Sequence, residues 1–440
     1  MCYAIPGKVQ SIEGRIALIN YFGEIKRAVH ELALLAPGDY VYAQGGYVIN
    51  KVSAAEAESV LSAWKEMFFT LQETDRVYSV FSLANQPADP RLKNILNKAT
   101  EGKDLTPEDA RVLFSREKTE EINLVFKTAN YLRHQYHKNA CCVHGIVELS
   151  NYCRRNCFYC GISSYNKELE RYRMSMDEVV DAVSSAANNY GFKAFVLQSG
   201  EDCGYGIDEL AEIISRVKKR NDCFIVISFG EMDEGALRKL FAAGARGLLM
   251  RFETSNSALY EKLHPGYSLG KRVETIKLAY EIGYMIITGS LVGLPGQSQE
   301  DIMNDIFFAR ELHPEMFSCG PFLRHPNTPL AGDIFSDEQL VFKTLAAARL
   351  ILPREVTIPV TTAFETLSPR SRLQGLISGA NSVMVNLTPL KYRKLYSLYP
   401  GRAHDDEDVS IQIKETVALL QSLGRAPVDP GNETIDKNSF

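Results

Sequence analysis

From about residue 142 onward, the 440-residue chain alternates between strand-like and helix-like segments. The strand-like runs are CVHGIVELS, KAFVLQS, CFIVISF, GLLMRFET, YMIITGSLVGL, MFSCG, VTIPVTTAF and NSVMVNL. Amphipathic patterns separate them, and Ser175 with Glu178, and Ser336 with Gln339, have capping-box spacing. Strictly alternating strands and helices require a parallel sheet, because each helix carries the chain back to the same edge. Eight such units predict an α/β fold of the (β/α)8 TIM-type barrel class, ahead of an open doubly wound sheet. In that architecture the chemistry sits where strands end. The polar clusters QSGED, RFETS, LVGLPGQ, SCGPF and TTAF fall at those ends.

The first 75 residues read differently. GKVQSIEG, RIALINYFG and EIKRAVHEL are short, punctuated segments of a β meander, followed by PGDYVYAQGGYVINKV, where Gly45-Gly46 predicts a bulge or bend. Ser53 and Glu56 open a helix expected over 54–71. Residues 1–75 are therefore expected to form a small OB-like β-barrel with a helical tail. Residues 76–104, with Pro87, Pro90 and a polar stretch, are expected to be a linker or helical connection. Thr106 and Pro107 restart structure, so the large barrel is expected over 105–424, leaving 425–440 as a tail.

With 54 acidic and 49 basic residues the net charge is −5, which offers no basic excess for a nucleic-acid backbone. No apolar run reaches membrane-spanning length and the start MCYAIPGKV lacks a signal-peptide pattern, so a cytoplasmic protein is expected, with no membrane partner. In a reducing compartment, clustered cysteines serve metals rather than disulfides.

Three of the nine cysteines, Cys153, Cys157 and Cys160, fall within eight positions directly after the first strand of the eight. A structural zinc site wants four ligands, and a distant Cys142 or His144 could complete one. A cubane iron–sulfur cluster held by three thiolates instead keeps one iron open. The C-x3-C-x2-C spacing, with Tyr159 just before the last cysteine, resembles the radical S-adenosylmethionine (SAM) superfamily. The resemblance implies a 4Fe-4S cluster on these cysteines, with S-adenosyl-L-methionine filling the open iron and cleaved by one electron to a 5'-deoxyadenosyl radical. It also implies SAM contacts at Ser199, Gly200 and Glu201 of QSGED, at Glu253 of RFET, at Arg272 in the next helix, and at Gly289 and Gly293 of GSLVGLPGQ.

Further segments narrow the resemblance. RRNCFYCG, LQSGED and YRKLYSLYPG, with RFETSNSALYEKLHPG and GPFLRHPNTPLAG, are similar to the HydE family, radical SAM maturases of FeFe-hydrogenase, over about 91–424. The resemblance implies action on an iron–carbonyl–cyanide cysteine complex during assembly of the diiron subcluster. Arg251, Met316, Thr361, Thr362, Tyr396 and Tyr399 would line the substrate cavity. Other hydrogenase maturation proteins, and an electron donor such as flavodoxin or ferredoxin, would be partners. The biotin synthase and methylornithine synthase families share the barrel, so an organic substrate is the alternative, and a non-catalytic cluster scaffold is a second. Some HydE-like proteins bind a second cluster through three cysteines after YPG. RAHDDEDVSIQIKETV contains none, so no second cluster is expected there.

The start MCYAIPGKV, together with GDYVYAQGGYVINKVSAAEA, resembles the HypC family of NiFe-hydrogenase maturation chaperones. That resemblance implies a carrier for an iron fragment with carbonyl and cyanide ligands at Cys2. It departs at AQGGYVI, where a histidine-containing segment is common. A flexible 76–104 segment would let such a carrier reach the barrel mouth.

Overall fold

The computed structural model describes residues 5–331 and 337–428. Cys2 and Ser336 lie outside the described residues.

Five strands, β1 (Gly7–Glu13), β2 (Ile16–Tyr21), β3 (Glu24–Val29), β4 (Tyr40–Gln44) and β5 (Tyr47–Val52), close into a small barrel in the order β1-β2-β3-β5-β4. β3 and β5 run parallel and the other pairs antiparallel. Val9, Ala17, Ile19, Ala28, Val41 and Ala43 alternate inward and fill it. Gly45-Gly46 is a two-residue hairpin turn, not a bend within one strand. Both residues have positive φ (57° and 75°), which only glycine adopts freely and which suits the twist of the flanking strands.

Ser53 caps α1 (Ala54–Ser79) as expected, accepting from the Glu56 amide at 3.2 Å. The helix runs eight residues past the expected end because tertiary contacts hold its last turns. Asp75 is fully buried there, bonded by Arg133 (2.7 Å) and Arg425 (2.8 Å). The 76–104 span, expected to be a linker or helical connection, carries a helix that is packed rather than flexible. α2 (Pro90–Thr100) buries Leu92, Ile95, Leu96 and Ala99 in the main core. α3 (Pro107–Phe114) has the capping box of Thr106 and Asp109, and α4 (Thr119–His137) leads to the first large-barrel strand.

That barrel consists of β6 (Cys142–Ser150), β7 (Ala194–Ser199), β8 (Phe224–Ser228), β9 (Gly247–Leu249), β10 (Met285–Val292), β11 (Met316–Pro321), β12 (Pro359–Val360) and β13 (Ser382–Asn386), all parallel. The sheet order is β11-β10-β9-β8-β7-β6-β13-β12. The ends meet at a single parallel bridge, Met316 to Thr357, where the Phe317 amide donates to Thr357 O and the Thr357 amide to Glu315 O, both at 2.9 Å. The barrel is thus nearly closed.

Two strands are shorter than their apolar runs. β9 stops at Leu249, and pairing resumes only where Glu253 bridges Ser290. VTIPVTTAF has two strand residues and then turns into the helix Thr362–Leu367. The helix Glu338–Ile351 is capped by Asp337, which accepts from the Gln339 amide at 2.9 Å.

The small barrel covers the floor of the large one, where the strands begin. Ile16, Val29 and Tyr47 join one apolar cluster with Ile146, Ala194, Val196, Phe224, Met316 and Met384. Burying each of the first two contributes about 1.5–3 kcal/mol. Tyr47 donates to Gly283 O (3.1 Å), and Glu31 pairs with Arg246 (2.6 Å). This placement overturns the expected reach to the mouth, because the small domain is docked at the opposite end.

Candidate active site

β6 delivers the chain from the floor to the rim, and the cysteine loop starts at its end. Asn151 anchors the turn, donating to Glu170 O (2.8 Å) and Leu395 O (2.7 Å) and accepting from the Tyr172 amide (2.7 Å). Cys153, Cys157 and Cys160 are free thiols on the wall of one cavity of about 310 Å³. No other cysteine lines it among the described residues. Burial pushes all three thiols up, Cys160 to about 12; the charge of neighbouring thiolates adds to this at Cys157 and Cys160, and that of Glu201 at Cys153. A metal centre among them would reverse that balance and release the protons.

The donor set suits a cluster with one open iron. Gly200 adds a cradle: a Cβ there would lie 2.2 Å from Tyr152 O and 2.7 Å from Cys153 Cβ, so only glycine lets the end of β7 touch the loop. Cys142 and His144 stand at the floor end of β6 and do not join the three thiols, so they complete no zinc knuckle.

Behind the loop runs a buried ionic chain. Glu201 accepts from Arg155 Nε (2.5 Å), Arg154 Nε (3.0 Å) and the Glu231 amide (3.0 Å). Arg155 also pairs with Glu231 (2.5 Å) and stacks over Tyr267 at 3.9 Å. Arg272 Nε donates to Glu231 (3.1 Å), and its other arm to Arg251 O (3.0 Å). Glu201 therefore fastens the cysteine loop, while Arg251 and Arg272 bring cationic groups to the cavity. Glu253 sits at φ 68°, an unusual conformation for a side chain with a Cβ, and pairs with Arg251 at 3.3 Å. The interruption after β9 allows this geometry.

Ser199, Gly200, Glu201, Glu253, Arg272, Tyr159, Arg251, Thr361, Thr362 and Tyr399 all reach the cavity wall. Thr362 Oγ1 and the Tyr399 hydroxyl are hydrogen-bonded at 3.1 Å. Tyr159 is fixed from behind. His264 Nδ1 donates to Tyr260 O (2.7 Å), so its Nε2 accepts from the Tyr159 hydroxyl (2.9 Å). Burial holds the His264 pKa down to about 3, which keeps the ring neutral for that role.

Four expected residues are not on the wall. Met316 begins β11, two residues below Ser318, and packs in the apolar layer with Met384 and Ile287. Tyr396 is buried one layer back, accepting from Gln198 Nε2 at 3.2 Å. Gly289 is required by the neighbouring strand, since a Cβ would lie 1.9 Å from Ser318 O. Gly293, at φ 93°, forms a turn in which its amide donates to Gln297 Oε1 at 2.8 Å.

The sequence reading missed Glu148, Gln198, Ser228, Ser318, Asn386 and Arg402, all lining the cavity, and Arg155 within the ionic chain. A signal existed for Glu148, a lone charge in the otherwise uncharged run CVHGIVELS. Arg402 carries no such mark, because it comes from a loop 254 positions away.

Comparison with known proteins agrees with this geometry. Residues 147–309 match the Radical SAM superfamily, and residues 1–64 match the HupF/HypC family. The FeFe-hydrogenase maturase subunit HydE of Thermotoga maritima is 40% identical over 303 residues, covering 69% of this chain and 86% of that protein. The 3-methylornithine synthase of Methanosarcina acetivorans is 30% identical over 335 residues, 75% of this chain and 92% of that one. Among solved structures, methylornithine synthase PylB superposes with a TM-score of 0.66 at 26% identity, covering 76% of this chain and 97% of that one. The maturase HydG of Carboxydothermus hydrogenoformans shares the fold at 21% identity, with a TM-score of 0.64 over 80% of this chain and 83% of that one. No helix among the described residues is long and apolar enough to cross a membrane. With the three thiols, their glycine cradle and the cationic wall in one rim cavity, the chain belongs to the radical SAM superfamily as a HydE-like enzyme, with a HupF/HypC-family domain at its N-terminus.

Proposed function

We propose that the chain is a HydE-like maturase that acts on an iron–carbonyl–cyanide cysteine complex, with the N-terminal domain as carrier of an iron fragment at Cys2. One observation carries the reading: three thiols and the Arg251 and Arg272 guanidiniums converge on one cavity at the strand ends. Cys153, Cys157 and Cys160 would hold the 4Fe-4S cluster, which together with bound SAM supplies a 5'-deoxyadenosyl radical. Arg272, braced by Glu231, would pair with the SAM carboxylate. Arg251 would attract an anionic iron complex, and Arg402 offers a second cation on the same wall. Thr361, Thr362 and Tyr399 present hydroxyls for orientation. The apolar floor of Ile146, Leu249, Ile287 and Met384 excludes water from beneath. Other maturation proteins and a flavodoxin or ferredoxin would complete the system.

The match to 3-methylornithine synthases favours a second reading, an organic amino-acid substrate in the same cavity. Anaerobic reconstitution with iron counting and dithionite-driven SAM cleavage tests the shared chemistry. Four irons and 5'-deoxyadenosine are expected, and both should vanish when Cys153, Cys157 and Cys160 are changed to alanine. Retained cleavage in that triple variant refutes the assignment. Consumption of the iron complex, against none of an organic amino acid, separates the two substrates. A Cys2→Ala protein that matures its target at the wild-type rate, with partner proteins limiting, ends the carrier role.

A further inference from the structure

Residues of β6 alternate between the barrel interior and its outer face. Ile146 and Glu148 point inward on the cavity wall, and by the same alternation Cys142 and His144 point inward at the floor. Floors of such barrels are ordinarily filled with branched apolar side chains. Here a buried thiol and a buried imidazole meet instead, with Cys142 Sγ 3.4 Å from His144 Nε2. His144 Nδ1 lies 3.2 Å from Ser382 Oγ, and Ser382 is the residue that pairs with Cys142 across the sheet. This contact turns Nε2 toward the sulfur, as the outer hydrogen bond of a metal-bound histidine does. Gln44, the last residue of β4 in the other domain, is fully buried and places its amide 3.3 Å from the same sulfur.

The spacing, that of a hydrogen bond without an ion, is also compatible with two ligands on one ion. A thiolate at about 2.3 Å and an imidazole nitrogen at about 2.0–2.1 Å from a tetrahedral metal stand about 3.5 Å apart. Gln44 Nε2 donates to the sulfur here, and a half-turn of the amide would exchange that nitrogen for Oε1.

We propose that Cys142, His144 and Gln44 form a second metal site, separate from the cysteine loop, that holds one divalent first-row transition ion across the interface of the two domains. The ligands are a thiolate, a neutral imidazole and an amide oxygen, and binding releases the Cys142 proton to solvent. The ion ties the small barrel to the large-barrel floor. His144, the nearer of the two β6 ligands, lies four residues from Glu148 on the cavity wall, about 13 Å at the rise of a strand, and no cysteine of the loop takes part. The site therefore does not depend on the cluster, nor on the carrier role of Cys2.

Zinc is the probe, because its K-edge absorption is blind to iron. The reconstituted holoenzyme is given one equivalent of zinc and desalted. One zinc should remain, with one sulfur and otherwise nitrogen or oxygen neighbours. Cys142→Ser and His144→Gln should each lose it while keeping cluster iron and SAM cleavage. Gln44→Leu, on the other domain, should weaken zinc affinity by about 10–100-fold, and it carries the test where a floor substitution unfolds the chain. Equal zinc in the wild type and in Cys142→Ser or Gln44→Leu overturns the site. So does a zinc spectrum with three sulfurs that disappears on substitution of Cys153, Cys157 and Cys160.

Discussion

Arg402 and Glu148 meet at 2.7 Å on the cavity wall, each side chain only 3% exposed. Asn386 Nδ2 and Thr388 Oγ1 donate to the other oxygen of Glu148, both at 3.2 Å, and Arg402 donates to Tyr396 O at 2.7 Å. The pair pins the loop after β13 to the first strand of the barrel. Removing one partner leaves a buried charge, which costs about 3–5 kcal/mol. Glu148→Gln should lower the unfolding free energy by about 3 kcal/mol, near the low end because Asp405 stands 3.5 Å from Arg402. The double variant Glu148→Gln/Arg402→Met should recover part of that loss. Anaerobic denaturant titration of the two proteins checks the order.

Arg272→Ala should raise the SAM dissociation constant while leaving cluster iron intact. The guanidinium is mostly buried and already braced by Glu231, so it meets an incoming carboxylate with little reorganisation. A charge-assisted bond in such a site is worth about 1.5–3 kcal/mol, or about 10–150-fold in affinity. Titration of the cluster's EPR signal with SAM measures it, and an unchanged constant would remove Arg272 from the SAM site.

Gly200→Ala should damage cluster retention more than overall stability. The added Cβ would meet backbone, at 2.2 Å from Tyr152 O, so the cysteine loop must shift rather than a side chain rotate. Iron per chain after desalting should fall well below that of the wild type, while the melting transition stays cooperative. Full iron content in the variant would show that the loop adapts.

Stability should fall as pH drops below about 6.5. The native state keeps His264 neutral down to about 3, whereas the unfolded chain binds a proton near 6.5. Protons therefore favour unfolding between those values. At pH 5 the cost approaches about 2 kcal/mol from this residue. His264→Gln should flatten that part of the curve, read as melting temperature against pH in the two proteins. A wild-type slope preserved in the variant would assign the effect elsewhere.

Local chemistry in the sequence determined a good part of this molecule. The eight alternating runs imply the barrel because each apolar run must pair and each amphipathic helix must cover it. The spacing of Cys153, Cys157 and Cys160 after a strand implies a ligand loop at the rim, since the loop is contiguous. Ser199, Gly200, Arg251 and Glu253 stood out because they fall in the polar clusters QSGED and RFETS at the ends of strand-like runs, and the family resemblance gave them roles. Tertiary structure alone decided the rest. Met316 and Tyr396 lie off the wall because depth along a strand, or a layer of packing, is not written in spacing. Arg402 reaches Glu148 across 254 positions. The end of α1 is set by Asp75, which is ordered by arginines from two distant segments. The small domain sits at the floor because Ile16, Val29 and Tyr47 find complementary apolar surface there. Which surface buries which is a property of the folded whole, and no stretch of chain encodes it alone.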